Sequence, residues 1–225
     1  MTPTYEYFIN PDYGDSCASR GGSGTSMEVT LGPGAVASTN YGSKTGATSI
    51  PRCMEPLNAK DYTILISGLQ AGTARGLWVA GHLLNDNLGG LGTQDTNLTP
   101  LTGTANKNHA TYEGYIKKML VAADQIHRSK RVSGKYTFGV WYKVEVIDHF
   151  GSFKPYSFAP SSILISCKLK KWMTGTSSIV DATQADIDAC SKDHQAVFKK
   201  VFTAVTIDND DDHLSECVNG DCMHA

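Results

Sequence analysis

At 225 residues, with 40% apolar and 19% charged side chains, the chain fits a soluble globular protein of one domain with extensions, or at most two small domains. It contains no run of about 18 apolar residues, so no membrane span is expected. Its six cysteines (Cys17, Cys53, Cys167, Cys190, Cys217 and Cys222) are too sparse for a small disulfide scaffold, although single bridges stay open.

The first residues, Met1 to Phe8, lack the basic start and apolar core of a signal peptide. Synthesis in the cytoplasm is therefore expected, with any exit by a specialised route. Residues 1–60 are rich in Gly, Ser, Thr and Pro and read as an N-terminal extension. Tyr5 to Ile9 and Met27 to Leu31 are its edge-strand candidates, and Gly14 to Ser26 and Gly32 to Ser49 its long loops. The glycine-rich run from Arg20 to Gly24 lacks the Gly-Lys-Ser/Thr ending of a phosphate loop and is not read as one.

Residues 61–207 read as the folded α+β domain. Tyr62 to Leu69 is a buried-strand candidate. Leu77 to Ala80 begins a short apolar strand that ends on Gly81-His82, and a glycine-rich turn follows. A second short strand, Asn97 to Leu101, stops at a Thr-Gly-Thr break. A helix is expected from about Lys107 to His127, with Asn106 as its N-cap. Tyr112, Tyr115, Ile116, Met119, Ala123 and Ile126 form its apolar stripe. Asn106, His109, Glu113 and Lys117 share a neighbouring face, where His109 and Glu113 suit either support of a site or a solvated surface.

Beyond a turn at Ser133-Gly134, Lys135 to Asp148 alternates in the manner of a half-buried strand. Ser162 to Trp172 reads as its antiparallel partner, with Ile163, Ile165, Cys167 and Leu169 on one face. Thr183 and Asp186 are spaced as a capping box and open a core-facing helix expected to continue to Val205. From Asp208 the chain turns acidic and reads as a disordered tail over 208–225. There His213, Cys217, Cys222 and His224 leave a zinc site and a Cys217–Cys222 bridge as open readings.

A strand ending on a histidine, followed by a helix that starts with an amide, an imidazole and a carboxylate, suits metal-assisted phosphodiester hydrolysis. A neutral imidazole can take the proton of an attacking water. A hard cation such as Mg²⁺ accepts an Asn carbonyl oxygen and keeps several waters. The segment resembles the His-Me finger (ββα-metal) nucleases, in particular the DNA/RNA non-specific endonucleases and their bacterial toxin branch. The matching parts occur in order as Gly81-His82-Leu83-Leu84, Leu88-Gly89-Gly90-Leu91-Gly92, Asn97-Leu98-Thr99-Pro100 and Asn106, over roughly residues 75–165.

The resemblance implies an antiparallel sheet carrying a ββα-metal finger with flanking helices. It makes His82 the general base, Asn106 the protein ligand of Mg²⁺ or another divalent cation, and Asn97 a brace. His109 and Glu113 lie near, but not on, the family's further positions. Val79-Ala80 stand where the family has Asp-Arg, which gives the rival reading of a non-catalytic finger that binds nucleic acid or protein within a delivery system.

Residues 107–171 hold 12 Lys/Arg against 4 Asp/Glu, a local excess suited to a phosphate-rich partner. Lys107, Lys117, Lys118, Arg128 and Lys130 are the candidate substrate contacts. The function expected from the resemblance is sequence-tolerant cleavage of DNA, with RNA left open, by a delivered bacterial effector that an immunity protein restrains.

Overall fold

The computed structural model describes residues 11–14, 24–33, 78–92, 94–129, 136–149, 160–173 and 178–209. The strand candidates Tyr5 to Ile9 and Tyr62 to Leu69 lie outside them, as do Lys130, Cys17, Cys53 and the Cys/His cluster of the tail. The fold is mixed α and β around an antiparallel sheet. Its strands are β1 (Asp12–Tyr13), β2 (Ser26–Leu31), β5 (Tyr136–His149), β6 (Pro160–Met173), β7 (Ile179–Asp181) and β8 (Phe202–Asp208). Their order is β1-β2-β5-β6-β7, and β8 pairs with the first half of β6, beside the stretch where β7 pairs with its end. A separate two-stranded sheet joins β3 (Trp78–His82) to β4 (Leu98–Thr102), which runs directly into helix α1 (Gly103–Arg128).

The β5–β6 pair is the centre of the sheet, and its alternation explains why. Phe138, Val140, Tyr142 and Val144 of β5 point to the same buried face as Ile163, Ile165, Cys167 and Leu169 of β6. Met27, Val29 and Leu31 extend that face on β2, and Ile116, Met119, Leu120, Ala123 and Ile126 of α1 cover it. So β2 is not a loose edge of an extension. It pairs with β5 from Ser26↔Glu145 to Leu31↔Val140, and part of the stretch read as an N-terminal extension belongs to the core sheet. Just ahead of it, Gly24 N–H donates to the Leu98 carbonyl at 2.8 Å, which links the large sheet to the small one.

Three expectations need correction. Helix α1 starts at Gly103 rather than Lys107, and its N-cap is Thr102, whose hydroxyl accepts from the Ala105 N–H at 3.1 Å. The Thr-Gly-Thr that looks like a break is the cap and first turn, and Asn106 lies inside the helix. The single helix expected from Thr183 is instead α2 (Gln184–Asp188), α3 (Lys192–Phe198) and strand β8. The Thr183–Asp186 capping box forms, but Ser191 caps a new helix, and Gln195 Nε2 donates to the Asp188 and Cys190 carbonyls between the two. Val201 is exposed, and the β-branched run after it pairs with β6.

The third correction is at the expected tail. Asn209 is wholly buried. Its Oδ1 accepts from Thr102 N–H at 2.7 Å, and its Nδ2 donates to the carbonyls of Pro100 at 3.0 Å and Pro160 at 2.9 Å. One side chain thereby ties β4, the cap of α1 and the start of β6.

Candidate functional site

His82 ends β3 opposite Leu98, and the three amides that follow it are each held by a different acceptor atom. Leu83 N–H donates to the Asn97 carbonyl and Leu84 N–H to Asn97 Oδ1, both at 2.8 Å. Asn85 N–H donates to Glu113 Oε1 at 3.1 Å. Asn97 Nδ2 donates back to the carbonyls of Leu84 at 3.1 Å and Leu91 at 3.2 Å, so this buried amide spans the turn.

The turn itself is a short 3₁₀-helix, Asp86–Leu88, capped by Asn85, whose Oδ1 accepts from Asn87 N–H at 2.9 Å. Gly89 closes it with φ 97°, which glycine adopts without strain. At Gly90 a Cβ would run into the Leu84 carbonyl. These contacts leave little freedom to the backbone that carries His82.

Helix α1 presents a buried face that changes character along its length. Its later turns bury aliphatic residues, but its early turns bury His109 and Glu113, at 1% and 3% exposure. Neither lies on a solvated surface. His109 Nε2 is hydrogen-bonded to the Tyr142 hydroxyl of β5. Both Glu113 oxygens are occupied by Asn85, the backbone N–H on Oε1 and Nδ2 on Oε2 at 3.0 Å.

Burial sets the electrostatics. Desolvation pushes the Glu113 carboxyl up to about 7, against Lys117 and the Asn85 hydrogen bonds, which favour its charge. Desolvation, with a smaller contribution from His82 nearby, brings His109 down to about 4. Tyr142 is raised well above its ordinary value by burial and by the Glu113 charge. The phenol and the imidazole are therefore both neutral at pH 7, and the His109 tautomer sets which of them donates in their hydrogen bond.

His82 is half-buried, and burial lowers its pKa while Asp86 partly opposes the change. Its Nε2 is shielded from solvent and has no hydrogen-bond partner among the described residues. A neutral imidazole with a free ring nitrogen can take or give a proton. Asn106 is half-buried in the first turns of α1, and no hydrogen bond joins its amide to another described residue.

The residues expected from the sequence divide into two groups. His82, Asn97, His109 and Glu113 converge on one turn and one helix end, and Asn106 lies one turn before His109. The cations do not converge. Lys107 and Lys118 are exposed and Lys117 stands a turn beyond Glu113. Arg128 is engaged by Asp124 at 2.8 Å, about 33 Å along the helix from Asn106 at 1.5 Å per residue. Asn85, Tyr142 and Asn209 were missed. Only Asn85 carried a local signal, an Asn beginning an Asn-Asp-Asn turn ahead of Gly-Gly.

Among the described residues no group of three or more His, Cys, Asp or Glu side chains forms a metal cluster, and no helix is long and apolar enough to cross a membrane. No protein-family model matches the chain, and no curated protein matches it.

Proposed function

We propose that β3, β4 and α1 form a ββα-metal finger and that the chain is a metal-dependent, sequence-tolerant endonuclease acting on DNA. The observation that carries this reading is His82, whose Nε2 has no hydrogen-bond partner among the described residues and whose pKa is lowered by burial. An imidazole kept neutral at pH 7 and held on a braced strand end is suited to take the proton of an attacking water.

Asn106 fits the part of a lone protein ligand. Its amide oxygen is uncommitted among the described residues, and a hard cation accepts such an oxygen with water in the remaining positions. A bound Mg²⁺ or similar ion supplies polarisation of the phosphate and stabilisation of the leaving oxygen. Asn97 keeps the turn after His82 in register. Lys107, Lys117 and Lys118 supply positive charge on the same helix for a nucleic-acid backbone. The resemblance to toxin nucleases adds delivery to a target cell and an immunity protein as partner.

A second reading, a finger kept as a non-catalytic scaffold for nucleic acid or protein, is favoured by Val79-Ala80 in place of Asp-Arg. Plasmid cleavage by the purified chain, with Mg²⁺ and with excess chelator, separates the two. Chelator-sensitive nicking supports the nuclease; binding without cleavage under all conditions supports the scaffold.

A further inference from the structure

We infer that Glu113 is a positioning residue: its ionised carboxylate clasps Asn85 and thereby holds the turn that carries His82. This inference rests on the nuclease reading only where it concerns activity; the clasp itself is a matter of hydrogen bonds.

The geometry suits the charged form. Asn85 offers two donors, its backbone N–H to Oε1 at 3.1 Å and its Nδ2 to Oε2 at 3.0 Å. A carboxylate has only acceptors, so it matches both. Protonation turns one of those oxygens into a hydroxyl, a poorer acceptor whose own O–H must find room beside the donor, so that bond weakens. Asn85 cannot turn its amide round to compensate, because its Oδ1 is committed to the Asn87 N–H that starts the 3₁₀ turn.

The clasp is three residues from His82. It is the last of the three consecutive amide anchors after that residue, and the only one supplied by α1. The helix that carries Asn106 is thus bonded to the turn that carries His82 through this contact.

The groups facing Glu113 come from three elements. Lys117 on its own helix favours the charge. Asp86 in the 3₁₀ turn opposes it. Tyr142 on β5 feels the Glu113 charge and binds His109, which His82 influences in turn. Burial outweighs Lys117 and brings the carboxyl up to about 7, so the clasp opens and closes near neutrality. His82 titrates below 6.5. The His82 event therefore lies on the acid side of the Glu113 event.

The experiment follows Asn85 and His82 by NMR between pH 5 and 9. In the wild type the Asn85 backbone and side-chain N–H signals should shift together with a midpoint of about 7. In Glu113→Gln that transition should vanish, since one amide cannot accept from both donors and does not titrate. A wild type with no Asn85 transition between pH 6 and 8, or one that persists in Glu113→Gln, overturns the clasp. Should Glu113→Gln fail to fold, Asn85→Ala decides. Loss of the side-chain donor should move the Glu113 carboxyl signal to a higher midpoint, and an unmoved midpoint overturns the proposal.

A cleavage arm on the same proteins adds the link to His82. The acid limb of the wild-type rate should have its midpoint at about 7, and in Glu113→Gln it should fall below 6.5 with the maximum rate reduced roughly tenfold. A limb that stays in place removes the positioning role. A wild type that never cleaves removes the nuclease reading instead, and the NMR arms alone then decide the clasp.

Discussion

Asn97 grips both backbone groups of Leu84 with one side-chain amide, accepting from its N–H at 2.8 Å and donating to its carbonyl at 3.1 Å. Leu84 and Asn97 are both fully buried, so neither backbone group can turn to water instead. Asn97→Ala should cost about 2–4 kcal/mol, the consequence of leaving several buried polar groups unpaired. Urea unfolding measures this, and hydrogen exchange at the Leu84 amide should accelerate with it. A loss under about 0.5 kcal/mol would show that the turn holds without the brace.

If His82 is the base, His82→Ala should lower plasmid cleavage by about 10²–10⁴-fold, the usual worth of a general base. The fold should survive, because His82 Nε2 gives up no hydrogen bond to a described residue. Asn106→Ala should raise the Mg²⁺ concentration for half-maximal rate or abolish turnover. Equal rates for wild type and His82→Ala would end the assignment.

Lys107, Lys117 and Lys118 remain as the candidate backbone contacts on α1. Engagement of three phosphates would give a log–log salt slope of about −3 for DNA affinity in the His82→Ala background. Reversal of all three to Glu should remove most of that slope, and unrelated duplexes should bind alike, since phosphate contacts carry no base information. An affinity indifferent to salt would contradict the assignment.

Glu113 and His109 should leave opposing marks on stability. The Glu113 carboxyl titrates at about 7 in the folded chain against an ordinary 4.5, so the folded state takes up this proton first. Its contribution grows as pH falls from 7 to 4.5. His109 titrates at about 4 against an ordinary 6.5, so the unfolded state takes up that proton first, and stability drains as pH falls from 6.5 to 4. Each effect reaches about 3 kcal/mol, and over the shared window they offset one another. The wild type should therefore be nearly flat between pH 4.5 and 6.5. Glu113→Gln should lose up to about 3 kcal/mol over that range, and His109→Asn should gain as pH falls. Denaturant midpoints at half-unit pH steps would reveal a different pairing if all three curves ran parallel.

Asn209 predicts where a shortened chain stops folding well. Asn209→Ala removes the side-chain bonds to the Thr102 N–H and to the carbonyls of Pro100 and Pro160, at a cost of about 2–4 kcal/mol. Thermal unfolding of this variant beside Asp208→Ala, an exposed neighbour expected to be within about 0.5 kcal/mol of wild type, tests whether the position or the sequence region matters.

Local chemistry made much of this protein legible in advance. Alternation over Lys135 to Asp148 and Ser162 to Trp172 identified a pair observed as Tyr136–His149 and Pro160–Met173, because a period of two needs no knowledge of the partner. The helical stripe, the Thr183–Asp186 capping box and the strand end at Gly81-His82 were legible for the same reason. The tertiary structure alone decided which neighbouring face of α1 turns inward. Periodicity places His109 and Glu113 together, but their burial depends on Tyr142 and Asn85, 33 and 28 residues away. It also decided that Met27 to Leu31 belongs to the core sheet and that Asn209 lies inside. In both cases the determining contacts include ones between residues more than 100 positions apart, beyond the reach of any sequence period.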